Sequence, residues 1–115
     1  MVEYVYPAHK GGTIQLDLVF GSLSDKTRRD ILKRVSHRRL SVGKIASHYK
    51  LSFAAVAKHL KVLENAGLIS KTRQGKQQII SIAPHGLAAA NIYLKDFEKH
   101  WQQRLNRLDN FLKSK

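Results

Sequence analysis

The side chains of this sequence that can do chemistry are mostly cations. Residues 26–76 hold 14 of the 21 lysines and arginines against two acids, Asp30 and Glu64, a net +12 of the chain's formal +13. Ammonium and guanidinium groups at that density attract a polyanion, and release of its condensed counterions drives binding. A nucleic acid is the expected partner. Other chemistry is poorly supplied. The eight acids are scattered, and no serine, histidine and acid trio, glycine-rich phosphate loop or paired-carboxylate motif stands out, so no enzyme is expected. There is no cysteine, which removes disulfides, zinc–thiolate sites and thiol sensing. Asp96 and His100 stand four apart on a basic stretch and read as a surface pair rather than metal ligands. No metal or cofactor is expected.

Something must position those cations. Residues 41–67, SVGKIASHYKLSFAAVAKHLKVLENAG, read as two short helices and a tight turn. Val42, Ile45, Ala46 and Tyr49 recur at helical spacing behind Ser41, a side chain suited to an N-cap. Ser52 is the second cap, Phe53, Val56, Leu60 and Leu63 form the inward stripe, and Gly67 is the stop. Leu51 is expected to plug the angle between the helices. Ala54, Lys58, Lys61 and Asn65 fall on the opposite face. Periodicity alone fits an α-hairpin in a helical core equally well. The charge and the next stretch favour a helix-turn-helix.

After Gly67 the pattern changes to alternation. Residues 68–72 and 77–82 are strand-like, with the turn signal Arg73-Gln74-Gly75-Lys76 between them, so a hairpin with a cationic tip is expected. Pro84 suits the start of a last helix, expected over 84–113. Upstream, residues 1–12 read as an extended or mobile arm, and residues 13–23 as a helix with a broad apolar face. Ser24-Asp25 then restarts the chain as cap and first-turn acid, with Ile31, Leu32 and Val35 marking the inward side. The expected fold is mainly α (α+β), a winged helix-turn-helix over 13–115. It has a two-stranded β-hairpin wing at 68–82 and dimerisation helices at both ends. The 115 residues form one domain. No apolar run approaches the roughly 20 residues of a membrane span, and residues 1–12 lack the apolar stretch of a signal peptide. The cytoplasm, with no membrane partner, is the expected setting.

Residues 18–32, LVFGSLSDKTRRDIL, resemble the ArsR family of bacterial and archaeal transcriptional regulators, and residues 56–69, VAKHLKVLENAGLI, resemble it more. The resemblance implies a homodimeric repressor on a two-fold operator. Residues 53–66 would enter the major groove of double-stranded DNA, and residues 73–77 would track the flanking minor groove or backbone. Ser52, Ala54, Ala55, Lys58, His59 and Lys61 carry over as DNA-facing. Ser41, Lys44, Arg73, Gln74, Lys76 and Gln77 complete the expected DNA-binding set. Lys58 and Lys61 suit phosphate oxygens or guanine edges.

Two features depart from the family pattern. Where relatives place serine, glutamine or threonine, this helix has Phe53, Ala54, Ala55 and Ala57, which cannot hydrogen-bond a base edge. Direct readout is then thin, and Phe53 reads as core. The family's metal site on the last helix also loses ligands. His85 and Asp96 match two positions, but Ala83 and Lys99 occupy the others. Two roles stay open for His59, a phosphate contact or a structural hydrogen bond. Arg28 and Arg29 either reach the DNA backbone or pair with a carboxylate. Leu94, Phe97, Trp101, Leu105, Leu108 and Leu112 make a stripe too long for one small core, so a dimer interface is expected there, with Ile14 and Leu18 opposite. The alternative function is an RNA-binding or ribosome-associated winged helix. Against it, the aromatics Tyr49, Phe53, Phe97 and Trp101 fall on stripes that read as buried rather than as stacking platforms.

Overall fold

Short polar side chains start three of the helices. Asp25 accepts the Arg28 amide at 3.0 Å, Ser41 the Lys44 amide at 3.1 Å and Ser52 the Ala55 amide at 3.1 Å. Each satisfies a donor that the first helical turn leaves unpaired. The computed structural model describes residues 10–114, and their side chains from Gln15 onward. In chain order the elements are α1 (Lys10–Leu23), α2 (Lys26–His37), β1 (Leu40–Ser41), α3 (Val42–Ala46) and α4 (Phe53–Asn65). The hairpin β2 (Ile69–Gln74) and β3 (Gln77–Ile82) and a long α5 (Pro84–Lys113) follow. The fold is mostly helical, with a small antiparallel sheet in the order β1-β3-β2.

Several boundaries differ from the sequence reading. Helix α1 begins at Lys10, so residues 10–12 of the expected arm are helical; residues 1–9 lie outside the described residues. The cap of α2 is Asp25, not Ser24. The Ser24 amide and hydroxyl instead donate to the Gly21 carbonyl at 3.2 and 2.6 Å, closing the end of α1. Helix α3 stops at Ala46, and Tyr49 lies in the turn beyond it. The turn of the hairpin is only Gly75-Lys76, with Gly75 at φ 60°, so Arg73 and Gln74 are strand residues. The wing is also larger than a hairpin: Leu40 pairs with Ile80 and Ser41 with Ile79.

The core lies where α2, α3 and α4 meet the sheet. Val19, Ile31, Val35, Ile45, Val56, Leu60, Leu63, Ala66, Leu68, Ile69 and Ile80 are its fully or almost fully buried members. Helix α4 ends in a Schellman arrangement: Leu68 N–H donates to the Leu63 carbonyl at 3.1 Å and Gly67 N–H to Glu64 at 2.9 Å. Gly67 takes φ 74°, a conformation that favours glycine. Two further bonds tie this terminus to other helices. The Gly86 amide of α5 donates to the Gly67 carbonyl at 2.9 Å, and Gln15 Nε2 of α1 to the Ala66 carbonyl at 2.7 Å.

Tyr49 locks the turn after α3 onto α2. Its hydroxyl donates to Asp30 Oδ2, which also accepts from Arg34 Nε at 2.9 Å, and the Arg34 guanidinium lies 5.8 Å from the ring centroid. Burial and the bond to Asp30 push the Tyr49 phenol up to about 12. The same hydroxyl, then Arg34, holds the Asp30 carboxyl below its ordinary value. No helix among the described residues is long and apolar enough to cross a membrane.

Candidate nucleic-acid interface

Helix α4 buries Val56, Leu60 and Leu63 and turns Ala54, Lys58, Lys61 and Asn65 to solvent. Val56, Leu60 and Leu63 recur at four and three residues, so their side chains lie on one face of the helix. Lys58 has no ion pair among the described residues, whereas Lys61 and Lys71 both stand 3.7 Å from Glu64 Oε1. Ala55 and Ala57 are half-buried on the flanks. Ser52 is exposed, with its hydroxyl oxygen engaged by the Ala55 amide.

The hairpin stands beside this helix. A cleft of about 410 Å³ opens between them, lined by Ser41 and Gly43, by Phe53 and Ala57 of α4, and by Arg73, Lys76 and Gln77 of the wing. Strand β1 is what brings Ser41 there, since it docks the start of α3 against β3. Gln74 is exposed on the same tip, and Lys44 is exposed on α3. Four of the expected DNA-facing residues, Ser41, Arg73, Lys76 and Gln77, thus share one cleft.

Phe53 does not join the core. Its side chain is 62% exposed and lines the cleft, because no element among the described residues covers the first turn of α4 on that side. Leu51 is likewise exposed rather than plugging the interhelix angle. Phe97 and Trp101 are about half-exposed too, so of the four aromatics read as buried only Tyr49 is sheltered.

His59 meets a structural partner. Its Nδ1 lies 3.3 Å from Arg28 Nη1 and 3.9 Å from Asp25 Oδ2, and the side chain is largely covered. Arg28 Nε donates to the Ser22 carbonyl at 2.7 Å and Nη2 to the Gly21 carbonyl at 3.2 Å, while Arg29 Nη1 donates to the Leu23 carbonyl at 2.9 Å. Both arginines therefore close the open end of α1, and neither forms an ion pair with a carboxylate among the described residues. Orphan carbonyls at a helix terminus take guanidinium donors readily. No sequence period marks such bonds, because they join neighbouring elements rather than one face.

The terminal helices carry the remaining expected residues. Leu18 of α1 and Leu94, Phe97, Trp101, Leu105, Leu108 and Leu112 of α5 are all exposed. Ile14 lies in α1, but its side chain is outside those described. The Phe20 and Tyr93 rings meet edge-on at 5.8 Å, and Tyr93 and Phe97 stand 5.9 Å apart. Among the described residues, no three His, Asp or Glu side chains are grouped to hold a metal ion.

A winged helix-turn-helix is also the fold described for a known structural neighbour. The family model for bacterial regulatory proteins of the arsR family matches residues 25–71. The HTH-type transcriptional regulator Rv2034 of Mycobacterium tuberculosis is 33% identical over 89 residues, which cover 77% of this chain and 80% of that protein. The chain belongs to the ArsR family. The matched segment of this ArsR regulator runs from the cap of α2 into β2 and so contains the helix-turn-helix. An ArsR-like transcriptional regulator from Rhodococcus sp. RHA1 superposes with a TM-score of 0.70 at 28% identity, covering 88% of this chain and 95% of that one. The homodimeric winged helix-turn-helix domain of Mb0332 from Mycobacterium bovis shares the fold, with a TM-score of 0.64 at 21% identity over 84% and 92% of the two chains. This ArsR chain is a transcriptional regulator with a winged helix-turn-helix DNA-binding domain.

Proposed function

We propose that this ArsR regulator is a homodimeric, sequence-specific repressor that binds a two-fold operator in the cytoplasm. The observation that carries the reading is the placement of the wing beside α4: Lys58 and Lys61 are exposed on α4, and Arg73, Lys76 and Gln77 line the cleft between the two elements. Helix α4 enters the major groove, where Lys58 and Lys61 take phosphate oxygens or guanine edges. Arg73, Lys76 and Gln77 follow the flanking backbone or minor groove, and Ser41 approaches from the start of α3.

The dimer is argued from α5. Its 30 residues span about 45 Å at 1.5 Å each, whereas the 14 residues of α1 span about 21 Å and cannot cover it. Leu87, Leu94, Trp101 and Leu108 recur every seven residues along the face left exposed. That is the spacing of a seam between helices, and a second copy of the chain closes it symmetrically. Two copies then hold two half-sites at once, which raises operator affinity without any new contact.

A gel-shift with the DNA upstream of the protein's own gene, against random duplex and single-stranded RNA of equal length, tests the reading. Preferential binding of the upstream duplex supports it. Absence of duplex binding at low salt, or stronger binding to the RNA, removes it. Sedimentation that shows only monomer at tens of micromolar removes the dimer.

A further inference from the structure

We infer that the leading end of α4 reads thymine C5-methyl groups, and that Phe53 is the side chain that sets this preference. The inference rests on the placement of α4 in the major groove and adds what it recognises there. Phe53 is the first residue of α4, and its ring lines the cleft beside the wing instead of filling the core. Ala54 next to it is exposed, and Ala57, one turn on, lines the same cleft. Together they form an apolar patch on the end of the helix that meets base edges first.

Hydrogen-bonding side chains are missing from that patch. The Ser52 oxygen is engaged by the Ala55 amide, and the next exposed polar side chain along α4 is Lys58. The side chains of Phe53, Ala54 and Ala57 have neither donor nor acceptor for purine N7, O6 or N6 positions, which leaves the Ser52 hydroxyl as the one polar side chain at that end. The major groove offers the patch one apolar feature, the thymine methyl, which phenylalanine and alanine contact well. Burying one methyl against the ring is worth roughly fourfold in affinity. The surrounding charge fits the same occupant: Arg73 and Lys76 line the other side of the cleft, suited to the phosphates that flank a groove-bound base pair. Phosphate contacts position the helix, and the methyl contacts specify the site.

The test uses the full chain and a duplex of about 30 base pairs, enriched from a randomised pool by the wild-type protein. A second version carries deoxyuridine at every thymine, which keeps all hydrogen-bonding edges and removes only the methyls. Wild type is expected to bind the thymine duplex at least fourfold more tightly. Phe53→Ala, a change at an exposed position, should reduce that ratio to less than half its wild-type value, with Phe53→Leu intermediate. Lys58→Ala should weaken both duplexes alike and leave the ratio intact. A wild-type ratio of one with tight duplex binding overturns the methyl reading while the proposed function stands. A ratio that persists in Phe53→Ala overturns the role of Phe53. Failure to enrich any duplex overturns the proposed function and this inference together.

Discussion

Replacing Gly86 by alanine should destabilise the protein, whereas the same replacement at Gly21 should not. Gly86 is buried in the first turn of α5. A Cβ there would lie 2.5 Å from the Ala66 carbonyl oxygen, 2.9 Å from Leu68 Cδ2 and 3.0 Å from the Gly67 carbonyl oxygen. Two of those atoms are backbone and the third belongs to a fully buried leucine, so none can swing aside. Helix α5 has to back away from the end of α4. Overpacking of this kind costs about 1–3 kcal/mol. Stretching the Gly86-to-Gly67 hydrogen bond costs about 0.5–1.5 kcal/mol more. Better helix propensity returns up to about 1 kcal/mol. The net expectation is a loss of about 2–3 kcal/mol. At Gly21 in α1, nothing lies within 4 Å of the added carbon, so alanine should stabilise by about 0.5–1 kcal/mol. Urea unfolding at one fixed protein concentration reads both, because association would otherwise shift the midpoints. The Gly86→Ala midpoint should fall by roughly 1 M. A Gly86→Ala stability within about 0.5 kcal/mol of wild type, or changes of the same sign at both glycines, would refute the packing argument.

Other perturbations test the interface, the dimer and the Asp30 cluster. Lys58→Ala and Arg73→Ala should each weaken duplex binding and lower the slope of log affinity against log salt by about one, measured by titrations over a range of salt. Trp101→Ala should weaken self-association by about 2 kcal/mol or more in sedimentation equilibrium. Trp101 is the only tryptophan, so wild-type emission should shift to the blue as concentration rises and the ring is covered. The Asp30 carboxyl is held below its ordinary 3.8 by the Tyr49 hydroxyl and then by Arg34. A depressed carboxylate stabilises the fold above its unfolded value and loses that effect as pH falls through the folded one. Wild type should therefore be more stable than Asp30→Asn at neutral pH, with the two unfolding curves converging below about pH 4.

Much of the architecture was legible because it is local. Ser41 and Ser52 cap the helices that follow them, since an N-cap needs only the right side chain three residues before an unpaired amide. Gly67 ends α4 for an equally local reason, its positive φ. The hairpin followed from alternation around a glycine-containing turn. The two-residue β1 did not, because so short a strand has no alternation to read and exists only through its pairing with Ile79 and Ile80. His59 and Arg28 were ambiguous for a similar reason: their partners lie on other helices, 31 residues apart in sequence.

By itself the sequence determined the family, the order of elements and the sign of the charge, all of which depend on residue types at fixed spacings. It also determined which angular face of each helix is apolar. Tertiary structure alone decided where along each helix that face is covered. Phe53 shares the angular stripe of Val56, Leu60 and Leu63, yet it sits at the end of α4, where no element among the described residues covers it, and so it stays in solvent. Leu87, Leu94, Trp101 and Leu108 share one stripe of α5, yet α1 is too short to follow them to its end. Helical periodicity reports direction around an axis, whereas burial depends on how far the neighbour extends along it.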